Sequence, residues 1–139
     1  MIESPRSSCP VNRAVEVLGD RWSLLILHDV AMHDRRTFRQ LLTGSEEGIS
    51  APLLSRRLTD LTIAGLLTKA EAPRGKQGRY SLTELGISAV PLLVALGELG
   101  ARIDPTTAPH APHVHAAGAT LEDQMDALRE RHLTTPAAS

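Results

Sequence analysis

The side chains best suited to chemistry lie between Ser50 and Gly65, where the chain reads Ser-Ala-Pro-Leu-Leu-Ser-Arg-Arg-Leu-Thr-Asp-Leu-Thr-Ile-Ala-Gly. Leu54, Leu58 and Leu61 recur at helical spacing and define a buried stripe. At about 100° per residue, the opposite side carries Pro52, Arg56 and Thr59, with Ser55 and Arg57 on its flanks. Guanidinium groups grip phosphate or the paired acceptors of a guanine edge, and short hydroxyls bond to either. A helix of this kind can enter the major groove of duplex DNA while its leucines hold it from behind. Taken alone, the same face also describes an ordinary surface helix with solvated arginines.

A second reactive group is the thiol of Cys9, the single cysteine of the chain. It stands just before a helix that starts at Pro10. Unpaired N–H groups there favour a thiolate, and Arg13 lies one turn along. Such a thiol can be alkylated, form a mixed disulfide or bridge two subunits. Equally, a small free cysteine can simply pack an interface. One cysteine excludes an internal disulfide framework.

The histidines point less clearly to chemistry. His28 and His33 lack a metal-type spacing and read as surface or partly buried residues. His110, His113 and His115 have no acidic or thiol partner in their stretch. No metal and no cofactor is expected. A Gly-x-Ser-x-Gly elbow, a His-Glu-x-x-His pair and a phosphate loop are all missing, so no enzyme is expected either.

The elements that must position these residues follow from caps and periodicity. Ser50 caps the arginine helix, Pro52 falls in its first turn, and Gly65 stops it. Thr37 caps a shorter helix through Leu42, with Phe38, Leu41 and Leu42 inward and Arg39 and Gln40 outward. Two short helices across the turn 43–48, the second basic, make a helix-turn-helix pattern. Upstream, a helix from Pro10 to Leu18 carries Val11, Ala14, Val15 and Leu18 on one face and ends at Gly19. Asp20 then caps a helix from Arg21 to about Met32, with Trp22, Leu25, Ile26 and Val30 as core positions.

Downstream, Leu66 to Ala72 and Arg79 to Leu82 read as two strands, with Tyr80 and Leu82 sharing a face. Their turn gathers Arg74, Lys76 and Arg79 around two glycines, as a wing that could reach phosphate or the minor groove. Thr83 caps a long helix to about Arg102, kinked by Pro91. Its broad apolar face holds Leu85, Ala89, Leu92, Leu93, Leu96 and Leu99, more than one small domain needs. Pairing with a second subunit would bury it. The spacing predicts a linker over 104–119 and an amphipathic helix from Thr120 to Leu133, with Leu121, Met125 and Leu128 inward. Residues 1–8 read as a flexible arm, 9–103 as the winged domain and 120–139 as a C-terminal helix and tail.

Composition narrows the partner. Trp22, Phe38 and Tyr80 are the only aromatic residues, which argues against base-stacking recognition of single strands. Net charge is −1, yet residues 35–79 hold nine Lys and Arg against four Asp and Glu. The flanking segments are acidic. A basic middle suits a polyanion-binding module whose ends do something else. No apolar run approaches a membrane span and the polar start is no signal peptide, so a cytoplasmic protein with no membrane partner is expected.

Particular residues sharpen this pattern. Cys9-Pro10-Val11, Gly19-Asp20-Arg21-Trp22 with Leu24-Leu25-Ile26-Leu27, and Arg36-Thr37-Phe38 resemble the HxlR-type family of bacterial winged helix-turn-helix regulators. So do Leu54-Ser55-Arg56-Arg57-Leu58, Leu61, Ala64-Gly65-Leu66 and Tyr80-Ser81-Leu82-Thr83-Glu84-Leu85-Gly86. The resemblance covers about residues 9–102. It implies a mainly α fold with a small β-hairpin wing (α+β), extended by N- and C-terminal dimerisation helices. It further implies a homodimeric transcription factor on inverted-repeat promoter sites, with repression the commoner habit. Val11, Val15, Leu92, Leu96 and Leu99 would then lie at the dimer interface. Cys9 matches a cysteine that some members use to sense oxidants or electrophiles.

The expected contacts follow. Arg56, with Ser55, Pro52 and Thr59, meets base edges, and Ser50 at the helix start also belongs to the DNA-binding set. Arg36, Arg39 and Arg57 contact phosphate, and Arg74, Lys76 and Arg79 serve the wing. Two alternatives stay open: a small-molecule effector in a pocket lined by Leu92, Leu96 and Trp22, or a dimeric protein-interaction module.

Overall fold

In the computed structural model, residues 4–73, 75, 77–110 and 119–133 are described. Local chemistry sets most boundaries. Helix α1 (Pro10–Leu18) begins behind Cys9, whose backbone is extended, and ends where the Gly19 N–H donates to Val15 O. Helix α2 (Ser23–His33) starts two residues later than expected. The Asp20 carboxylate still acts as the cap, accepting the N–H groups of Trp22 and Ser23 at 2.8 Å each and the Ser23 hydroxyl at 2.5 Å.

Helix α3 (Phe38–Gly44) opens on a reciprocal capping box. The Gln40 N–H donates to Thr37 Oγ1 at 3.1 Å, and the Thr37 N–H donates to Gln40 Oε1 at 3.2 Å. Helix α4 (Ala51–Ile63) is capped by Ser50, whose hydroxyl accepts the Leu53 N–H. Gly65, at φ +86°, makes the left-handed turn that ends it.

Strands β1 (Leu67–Ala70) and β2 (Arg79–Leu82) pair antiparallel, with Leu67 opposite Leu82 and Lys69 opposite Tyr80. Tyr80 and Leu82 both face the core, as their alternation predicts. The first strand is shorter at both ends than the sequence suggests.

The long helix expected after Thr83 is in fact two, α5 (Glu84–Ile87) and α6 (Val90–Ile103). Thr83 caps α5 by accepting the Gly86 N–H at 3.0 Å. Pro91 does not kink a continuous helix; it sits in the first turn of α6, where its missing N–H leaves no bond unmade. The break resets the helical phase. Ala89, Val90, Leu93 and Val94 are therefore the buried residues, while Leu85, Leu92, Leu96 and Leu99 are exposed. By length and composition alone, 84–103 is apolar enough to cross a membrane, which corrects the expectation that no run approaches a span. Here it is interrupted after Ile87, and Val90, Leu93 and Val94 join the protein core.

A 3-10 helix (Pro105–His110) lies against α6 where a linker was expected. Helix α7 (Leu121–Leu133) packs on β2 and α5, burying Met125 and Leu128 beside the core of Leu27, Leu54, Leu58, Leu61 and Leu82. The arm is tied down in part: Arg6 donates from Nη2 to Asn12 Oδ1 at 2.7 Å.

Candidate nucleic-acid interface

Helix α4 presents the two faces its sequence implies. Leu54, Leu58 and Leu61 are 0–1% exposed. Ser50, Pro52, Ser55, Arg56 and Thr59 are exposed on the far side. Thr59 donates its hydroxyl proton to Ser55 O at 3.0 Å, leaving the oxygen to accept from a partner. The exposed Arg56 guanidinium makes no hydrogen bond or ion pair with any described residue, which leaves its donor fork open to a partner.

The neighbouring arginines behave differently. Arg57 is held between two carboxylates, Nε at 3.3 Å from Asp20 Oδ1 and Nη1 at 3.2 Å from Asp60 Oδ2. It braces α4 against the turn that starts α2. Burial pushes the Asp20 carboxyl up, but Ser23, the N–H groups of Trp22 and Ser23, and Arg57 together hold it below its ordinary value.

Arg36, expected on phosphate, is buried at 8% exposure. Its Nε donates to Tyr80 O at 3.0 Å, Nη2 donates to the Ser81 hydroxyl, and Nη1 donates to Arg131 O at 3.4 Å. The Tyr80 N–H donates back to Arg36 O at 2.7 Å. A guanidinium held by three bonds to two elements, β2 and α7, cannot turn to a phosphate. Arg36 is the cross-link among the α2–α3 connection, β2 and α7. Nothing local distinguishes it from a surface arginine, because its partners lie far along the chain.

Arg39 is exposed at the start of α3, and its N–H donates to Gln77 Oε1 of the wing turn at 3.0 Å. This bond ties the helix-turn-helix to the hairpin. Arg79 is exposed at the turn end of the hairpin, opposite Ala70, while Arg74 and Lys76 lie outside the described residues. Lys69 sits 5.7 Å over the Tyr80 ring. A cleft of about 230 Å³ separates α4 from the hairpin, with Ser55, Thr59 and Thr62 on one wall and Lys69 and Tyr80 on the other. Helix and wing thus border one surface.

Sequence reasoning missed His132. It is buried, and its Nδ1 accepts the Leu82 N–H at 3.0 Å, so α7 closes the outer side of β2. Burial, with Arg36 and Arg131 adding to it, pushes its pKa down to about 4. It also missed that His28, Asp29 and His33 come together at the end of α2.

Cys9 is exposed. The helix it begins shows Val11 (71% exposed) and Val15 (52%) to solvent, as α6 shows Leu92, Leu96 and Leu99. A cavity of about 290 Å³ between α2, α6 and the 3-10 helix is lined by Leu24, Leu25, His28, Leu93, Leu96 and His110 among others. Of the expected lining it includes Leu96 but neither Leu92 nor Trp22.

Comparison with known proteins places these features in company. Residues 17–107 match the model of the HxlR-like helix-turn-helix family. An uncharacterised HTH-type transcriptional regulator of Mycobacterium tuberculosis is 33% identical over 117 residues, covering 84% of this chain and 71% of the relative. The crystal structure of 'a possible HxlR family transcriptional factor' from Thermoplasma volcanium is 28% identical with a TM-score of 0.59, over 70% of this chain and 86% of that one. The reduced form of the transcriptional regulator YodB from B. subtilis is 25% identical with a TM-score of 0.55, over 70% and 96%.

Proposed function

The chain belongs to the HxlR-like helix-turn-helix family of DNA-binding transcriptional regulators, and on that premise we propose that it represses transcription in the cytoplasm as a homodimer on an inverted-repeat promoter site. The observation that carries the reading is the outer face of α4, where Arg56 stands exposed among Pro52, Ser55 and Thr59, its guanidinium unpaired among the described residues. These residues, with Ser50 at the helix start, meet base edges. Arg39 and Arg79, with Arg74 and Lys76 of the wing turn, supply phosphate contacts. Arg57, engaged by Asp20 and Asp60 through its ion pairs, sets the pose of α4 more than it grips DNA.

Exposed Val11 and Val15 on α1, with Leu92, Leu96 and Leu99 on α6, support the dimer, since a solvated apolar surface of that kind marks an interface. Cys9 is exposed next to Val11, so modification of its thiol would change the edge of that interface. A redox response through Cys9 fits the likeness to a regulator solved in its reduced form.

The test is binding of the protein to its own upstream promoter DNA against scrambled duplex, at two salt concentrations, with and without diamide. Preference for the promoter, lost on oxidation in the wild type and kept in Cys9→Ser, is expected. Preference indifferent to diamide removes the redox part. The cavity between α2 and α6 then favours a second reading, a small effector bound beside Leu93 and Leu96. Equal binding to both duplexes contradicts sequence-specific regulation and favours a protein-interaction role.

A further inference from the structure

The end of α2 carries three groups that the DNA interface leaves unused. His28, Asp29 and His33 offer one ligand atom each, all within 4.8 Å of one another. The two imidazole rings meet edge to face, with centroids 5.1 Å apart. His28 Nδ1 is 3.8 Å from Asp29 Oδ1. We propose that His28, Asp29 and His33 bind a divalent transition ion of the zinc class at the C-terminal end of α2.

Two imidazoles and a carboxylate are a donor set that such ions take, and bonds of about 2.0–2.2 Å leave a fourth position for water. The spread of the ligand atoms is wider than a closed tetrahedron, and exposed His33 can swing inward to contract it. The site's surroundings suit a cation in part. The last carbonyls of α2 carry the negative end of the helix dipole. Arg35 works both ways: its charge opposes the ion, while its Nη1, 3.1 Å from Asp29 Oδ1, fixes the carboxylate and leaves the second oxygen for the metal.

The position links the ion to DNA binding. After His33 comes Asp34 in a left-handed conformation at φ +50°, then Arg35 and the buried cross-link Arg36, then α3. Glu46, in the turn between α3 and α4, acts electrostatically on His33. Drawing His33 toward His28 therefore fixes the segment from which the helix-turn-helix departs.

The experiment titrates the full chain with Co²⁺, followed by its visible ligand-field absorption, and with Zn²⁺ by calorimetry and thermal melting. One ion per chain and a rise in melting temperature are expected. His33→Gln, at an exposed position, and the double variant with His28→Gln weaken binding by about tenfold or more. His110→Gln leaves it unchanged. Circular dichroism confirms that each variant is folded. Absence of a Co²⁺ band in the wild type overturns the site. So does wild-type affinity in His33→Gln or the double variant, which would place the ion on the histidines of residues 110–115. Promoter preference measured without metal is a separate readout, so either result leaves the regulatory reading independently testable.

Discussion

Arg36, Arg56 and Arg57 are alike as residue types and all lie in the basic middle of the chain, yet they do different work. Arg56 is exposed with no side-chain partner among the described residues, Arg57 is braced by two carboxylates, and Arg36 is buried under β2 and α7. Arg36→Ala should therefore lower stability by about 1–3 kcal/mol, because the Tyr80 carbonyl and Ser81 lose a buried partner. Arg56→Ala should leave the denaturation midpoint unchanged. Urea melts distinguish the two. His132 makes a pH-dependent prediction. Its folded pKa, about 4, lies below the ordinary 6.5. The unfolded chain thus takes up a proton first as pH falls, and the stability His132 contributes above pH 6.5 is lost progressively toward pH 4. Thermal midpoints between those limits should fall less steeply in His132→Gln. Neither Arg36 nor His132 was legible in the sequence: their partners Tyr80 and Leu82 stand 44 and 50 residues away, and no local pattern announces such a bond.

Helices and strands were legible where the signal is local. The Thr37 capping box, Ser50 with Pro52, Gly65 and the Tyr80–Leu82 alternation all report contacts within a few residues, and the structure has them. The split between α5 and α6 was not legible, because Leu-rich residues on either side keep an apolar pattern through it. Pro91 marks the place without deciding between a kink and a break, and a tertiary contact holds α5 where it is. A Cβ on Gly86 would lie 2.2 Å from Leu66 O, so the α5 backbone seats directly on the turn into β1. Gly86→Ala should cost about 1–3 kcal/mol of stability by overpacking, measured by chemical denaturation. Unchanged stability would mean that the α5 contact is loose. Helix α7 was placed correctly by its periodicity, but its packing on β2 belongs to the fold and not to the segment alone.

At the scale of the whole molecule, exposed Arg39, Arg56, Lys69 and Arg79 lie on α3, α4 and the hairpin, while α1 and α6 expose Val11, Val15, Leu92, Leu96 and Leu99. A Leu96→Glu/Leu99→Glu double variant should sediment as a monomer with unchanged circular dichroism and bind promoter DNA more weakly. A dimer that survives it would place the interface elsewhere. The most direct test compares wild type and Arg56→Ala on the protein's own promoter duplex and a scrambled duplex at two salt concentrations. The wild type should prefer the promoter, and Arg56→Ala should lose about 1–3 kcal/mol of that discrimination while still binding both duplexes in a salt-dependent way. Full discrimination in Arg56→Ala would contradict base reading by the outer face of α4.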